Sequence, residues 1–155
     1  MSDLVKKHPH TLIYLGGDIV HSKLELSPES VDLTQYLFKG LTDIAPTILI
    51  MGNHDCNLNN KSRPDSLTPI VTAMNLPNFY YLRESGVYRF NNIDFTVMGL
   101  QDSPDTYLDP DTTNTQYKVA LHHGAVDDAL DVGLEPRQQG PDVVRIGHGN
   151  PRQGS

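Results

Sequence analysis

The residues of this chain that could do chemistry fall in short clusters, each at the end of an apolar run. Gly52-Asn53-His54-Asp55 follows Thr47-Ile48-Leu49-Ile50-Met51, and Gly16-Gly17-Asp18 follows Thr11-Leu12-Ile13-Tyr14-Leu15. Further on, Tyr117 to Leu121 runs into His122-His123-Gly124, and Asp142 to Ile146 runs into Gly147-His148-Gly149-Asn150. Carboxylate, amide-oxygen and imidazole donors make a harder set than thiolates and suit Mn, Fe or Zn. For any one cluster the plain alternative is a polar turn, because Gly, Asn and Asp favour turns for backbone reasons. Recurrence of the same pattern at several run ends argues for a shared site. His122 and His123 compete for one ligand role, since neighbouring strand residues point to opposite faces.

The elements that must position these clusters follow from the same runs. β-Branched and aliphatic residues between Pro46 and Gly52 predict a strand buried on both faces, as in the middle of a parallel sheet. Ligands in open α/β sheets bind beyond the carboxyl ends of the strands, which is where Asn53, His54 and Asp55 then lie. Ser2 to His10 reads as the tail of a helix stopped by Pro9, with Lys6, Lys7 and His8 near its end, where cations suit the dipole. Ser27 as N-cap and Pro28 at the first helical position start a helix that should run to about Gly40, burying Val31, Leu33, Leu37 and Leu41. A short capped helix is expected from Asp65 to Met74, ending near Pro77. Phe79 to Leu82 reads as a strand, and Val87–Phe90 with Ile93–Val97 as a hairpin turning at Asn91-Asn92. Its aromatics fit core and sheet packing better than a base-stacking surface. Gln101 to Thr115, acidic and carrying Pro104 and Pro110, reads as a long surface loop.

Composition sets the outer limits. A chain of 155 residues with 37% hydrophobic content can bury one real core and is short for two. The formal charge of −7, with Lys and Arg scattered, gives none of the basic footprint expected of a non-specific DNA binder. The single cysteine, Cys56, excludes an internal disulfide. With no signal-peptide pattern or long apolar segment, it points to a reducing interior such as the cytoplasm, or the nucleus or a viral factory for a viral protein, rather than secretion. Cys56 itself reads as a small packed residue rather than a nucleophile or ligand.

The ordered set Gly-Asp, Gly-Asn-His-Asp, His and Gly-His resembles the calcineurin-like metallophosphoesterases over nearly the whole chain. That resemblance implies an α/β fold of four αββα layers, a β-sandwich flanked by helices. It is incomplete here: no Asp-x-His precedes Gly17-Asp18, Asn150 stands where the family has a second histidine, and the closing strands are missing. Residues 1–155 would thus be a single domain shortened at both ends. Gly17-Asp18-Ile19-Val20-His21-Ser22 followed by a Ser-Pro helix start is similar to the nuclease branch, the exonuclease subunits of double-strand-break repair.

By the same resemblance, Asp18 bridges the metals, with Asn53, His123 and His148 completing one metal site. His123 is preferred to His122 because it directly precedes Gly124. His54 stands over the phosphate as the acid for the leaving oxygen, and Asp55 orients its ring. His21, His122 and Asn150 are candidates for supporting the ligands or touching substrate. The family uses two divalent ions, Mn here with Fe or Zn as alternatives; the surviving ligands imply one. The expected function is metal-dependent phosphodiester hydrolysis, as a DNA nuclease of the repair type, with an ATPase partner subunit and no membrane partner. Small phosphodiesters or phosphoproteins are the alternative substrates, and a non-catalytic single-metal interaction domain is the alternative class. A sheet lacking its first strand exposes an edge, so a homodimer is also expected.

Overall fold

The computed structural model describes residues 3–21, 25–124 and 143–147. It is a mixed α/β protein with two sheets and helices, and its chain falls into two compact units, Met1–Arg83 and Glu84–Ser155.

In the first unit a short helix α1 (Asp3–Lys7) precedes β1 (Ile13–Leu15), α2 (Pro28–Thr42), β2 (Thr47–Ile50), α3 (Thr68–Met74) and β3 (Phe79–Leu82). The strands form one parallel sheet in the order β1-β2-β3, with Leu15 opposite Leu49 and Leu49 opposite Tyr81. β2 is therefore central, and all four of its residues are buried, as its unbroken apolar run requires. Because the strands are parallel, β1 and β2 end at the same edge, and both glycine-led turns leave from there.

α2 starts as expected, with Ser27 Oγ accepting from Ser30 N at 3.2 Å and Pro28 in the first turn. Its buried face differs from the expected one. Leu33 is 69% exposed and Leu37 41%, whereas Thr34 and Phe38 are buried between the half-buried Val31 and Leu41. The core stripe is thus Val31–Thr34–Phe38–Leu41, at helical spacings of three and four. Thr34 can sit in it because its hydroxyl donates to Ser30 O at 2.7 Å, leaving no unsatisfied polar group. Phe38 packs on Phe79 with ring centroids 4.4 Å apart, in a core with Val20, Leu49 and Leu67.

α3 takes its cap from two residues upstream. The buried Asp65 carboxylate accepts from Leu67 N (3.0 Å), Thr68 N (2.8 Å) and Thr68 Oγ1 (2.6 Å). The helix ends at Asn75, whose φ of 45° lets a left-handed residue close it ahead of Pro77.

In the second unit β4 (Gly86–Phe90), β5 (Ile93–Met98), β6 (Tyr117–His122) and β7 (Val143–Gly147) form a sheet in sequence order. β4 and β5 are the expected antiparallel hairpin, with Asn91 at φ 56° in the turn. β5, β6 and β7 run parallel, with Met98 opposite His122 and His122 opposite Gly147. The hairpin aromatics pack on each other, Phe90 edge-on to Phe95 at 5.7 Å. The acidic 101–115 segment holds two 3-10 turns, Pro104–Thr106 and Pro110–Thr112, each started by its proline. Within the sheet the fully buried Asp94 receives both Arg89 Nε (2.7 Å) and an Arg89 terminal nitrogen (3.0 Å). That fork holds the Asp94 carboxyl at about 2, with Thr115 and Thr113 helping and burial opposing.

Two outcomes test these assignments. Phe38→Ala should cost about 3–5 kcal/mol in urea unfolding and Leu33→Ala under about 0.5, the reverse of what a Leu33 core face requires. A depressed carboxylate contributes stability above its unfolded value of roughly 3.9 and loses it as pH falls through about 2. The urea midpoint should therefore drop more between about pH 6 and about pH 2.5 in wild type than in Asp94→Asn; equal drops would remove Asp94 from the acid response.

Candidate active site

Two turns meet at the carboxyl edge of the first sheet. After β1 the chain passes through Gly17 at φ 89° and Asp18 at φ 56°, two consecutive left-handed residues. Glycine adopts this freely and aspartate is among the few side chains that tolerate it. After β2 it passes through Gly52 into Asn53, His54 and Asp55. A Cβ on Gly52 would fall on the Asp18 amide nitrogen and carboxylate oxygen, so only glycine allows the turns to touch.

Asp55 locks them together. Its side chain is fully buried, and Oδ2 accepts from Asp18 N and Gly52 N, each at 2.8 Å, while Oδ1 accepts from Val20 N at 3.1 Å. The tie is reciprocal, since Asp18 Oδ1 accepts from His54 N at 2.9 Å. Burial lifts the Asp55 carboxyl above its ordinary range against the pull of the three amides, and the nearby Asp18 carboxylate adds to the rise. This arrangement corrects the orienting role expected for Asp55: its carboxylate binds main chain on both turns and not the ring of His54. The main chain of Asp55 also accepts from Ser66 N at 2.8 Å, returning the 56–65 loop to the same point. Cys56 is fully buried beside it, as a packed residue.

What lies beside His54 is another imidazole. The rings of His21 and His54 are stacked, 5.2 Å between centroids and 16° from parallel, with His21 exposed and His54 half-buried. Asp18 is exposed and Asn53 half-buried. Asp18, His21, Asn53, His54 and Asp55 are thus brought to one edge of the first unit. In the second unit His122 and His123 lie at the carboxyl end of β6. His123 is 5% exposed; His122 is half-buried, with Nδ1 3.3 Å from Met98 O and its ring 6.1 Å from that of Tyr107. A Cβ on Gly124 would come within 2.7 Å of His122 Nε2, so the turn after β6 is shaped around His122. His148 and Asn150 lie outside the described residues.

An exposed carboxylate and an amide side chain on touching turns offer the hard oxygen donors a divalent cation takes, so Asp18 and Asn53 fit one in chemistry. Among the described residues, no group of three His, Cys, Asp or Glu side chains stands at ligand spacing. Sequence reasoning missed the close approach at Gly52 and the Asp55 tie. The signal for the first was a glycine directly between a buried strand and the polar residues; a carboxylate binding main chain across thirty-seven residues left none.

The family model of the calcineurin-like phosphoesterases matches residues 1–155. An uncharacterized protein of Acanthamoeba polyphaga mimivirus is 44% identical to this chain over 133 residues, covering 79% of the chain and 10% of the relative. The chain therefore spans about a tenth of the length of that relative.

The turn-to-turn lock predicts unequal costs. Asp55→Ala leaves three amides without their acceptor, the buried ones of Val20 and Gly52 at about 1–3 kcal/mol each, and Gly52→Ala forces main chain apart. Both should lower the thermal midpoint sharply, while His21→Ala, at an exposed position, should leave it nearly unchanged. A mild Asp55→Ala would mean that water replaces the carboxylate and the lock is not structural.

Proposed function

The chain belongs to the calcineurin-like phosphoesterase family, a family of metal-dependent phosphoester hydrolases, and from that premise we propose that it cleaves phosphodiester bonds in DNA as a nuclease. The observation that carries this reading is the stacked His21–His54 pair beside Asp18. A half-buried imidazole, on a turn whose main chain is tied to an exposed carboxylate, suits proton delivery to a leaving oxygen. A second, exposed imidazole on its face gives a longer phosphodiester a further contact on the leaving side. Asp18 and Asn53 would hold the divalent cation, manganese in this reading. The chemistry such an ion supplies when bound is Lewis-acid polarisation of phosphoryl oxygens and of water.

The chain's own groups have separate duties. Asn53 donates a neutral oxygen, which adds no negative charge near an anionic substrate. His54 holds a proton for the departing oxygen, and its main-chain amide fixes the Asp18 carboxylate. Asp55, by holding the amides of Asp18, Val20 and Gly52, keeps both turns in register without touching substrate.

His54→Ala should lower turnover of a nitrophenyl phosphodiester by about 10²–10⁴ with metal content kept. Asn53→Ala and Asp18→Ala should lose manganese first, as read by elemental analysis after loading. Loss of metal from His54→Ala would move His54 into the ligand set. Assays of plasmid, single-stranded DNA and the nitrophenyl ester on one preparation test the substrate. Turnover of the small ester alone would overturn the nuclease reading and leave the phosphodiesterase reading standing.

A further inference from the structure

Arg83 and Arg89 both stand beside buried carboxylates, and they are used differently. Arg89 gives Asp94 its fork, through Nε at 2.7 Å and a terminal nitrogen at 3.0 Å. Arg83 does not do this with Asp65. Its Nε stands 3.0 Å from Asp65 Oδ2 but off the line a hydrogen bond needs, so this buried nitrogen makes an ion pair and no hydrogen bond. Asp65 is satisfied without it. The carboxylate accepts from the Leu67 and Thr68 amides, from the Thr68 hydroxyl and, at 3.0 Å, from the Tyr81 hydroxyl. Among the described residues the two terminal nitrogens of Arg83 meet no acceptor, and the side chain is 35% exposed. A fork whose shape matches carboxylate or phosphate is thus held at its base and open at its tip.

Its place in the sheet says what it can meet. β3 is parallel to β2 with Leu82 opposite Ile50, so Arg83 leaves β3 beside Met51, at the edge where Gly52 to Asp55 leave β2. Neighbouring strands lie about 4.8 Å apart, which sets Arg83 one strand from the turn of Asn53 and His54 and two from the turn of Asp18. On the nuclease reading above, we propose that Arg83 is a substrate-binding residue whose guanidinium holds the non-bridging oxygens of the phosphate next to the one cleaved. The offset from Asp18 and Asn53 assigns it the neighbouring phosphate rather than the scissile one. The preferred substrate is then a polynucleotide strand, held through its backbone and without regard to sequence.

Binding of a labelled single-stranded oligothymidylate, with calcium in place of manganese so that binding is read without turnover, tests this by fluorescence anisotropy over a salt series. Arg83→Gln should weaken binding about tenfold and flatten the slope of log affinity against log salt by roughly 0.7, the share of one phosphate on a single strand. Arg83→Lys should keep the slope and lose part of the affinity, since a point charge replaces the fork. The melt of Arg83→Gln should stay as in wild type, because Asp65 keeps its four donors. With manganese, Arg83→Gln should raise KM for the oligonucleotide and leave the nitrophenyl phosphodiester, which has no neighbouring phosphate, unchanged. An unchanged salt slope overturns the proposal. So does an equal loss on both substrates, which would place Arg83 in the fold or at the scissile phosphate, and so does a wild-type chain that fails to hold the oligonucleotide at about 1 mM. An oligonucleotide held through Arg83 and left uncut by the manganese-loaded chain would instead end the nuclease reading and leave this contact standing.

Discussion

A buried carboxylate that binds only main chain decides the geometry of this site. Held away from water, the Asp55 carboxyl must be met by donors, and three amides from two separate turns meet it. The left-handed Asp18, the forced glycine at 52 and the Asp18–His54 contact all depend on those turns lying against each other. Strain of this kind persists where surroundings over-determine it, and here the over-determination is visible as reciprocal hydrogen bonds.

The sheet-edge logic was legible because it rests on burial. An apolar run between a proline and a glycine has few ways to be satisfied, and β2 took the central position of a parallel sheet with every residue buried. Parallel strands then bring their ends to one edge. Caps and turns were legible for a similar reason: Ser27-Pro28 and Asn91 act through their own backbone neighbourhoods.

Long-range choices were less legible. α2 offers Leu33 and Leu37 as well as Val31, Phe38 and Leu41, so its apolar pattern fits two faces. The buried one holds Thr34, a residue that counting hydrophobic positions discards and that a hydrogen bond to Ser30 makes acceptable. Asp55 was assigned to a neighbouring side chain when its partners lie up to 37 positions away. The contact of His21 with His54 likewise joins two turns that the sequence separates by a helix and a strand. A pattern read locally ranks which residues could act. It does not say which of them the fold spends on its own construction.

The span of that lock also bears on time. The hydrogen bond from the Asp18 amide to Asp55 joins positions 37 apart, and β1, α2 and β2 must all be in place before it can close. Loop-closure entropy must be met before such a contact returns anything. A chain still being synthesised can have its amino-terminal turn and α2 in place and yet possess no assembled centre. The two turns are then joined in one step, with the docking of β2.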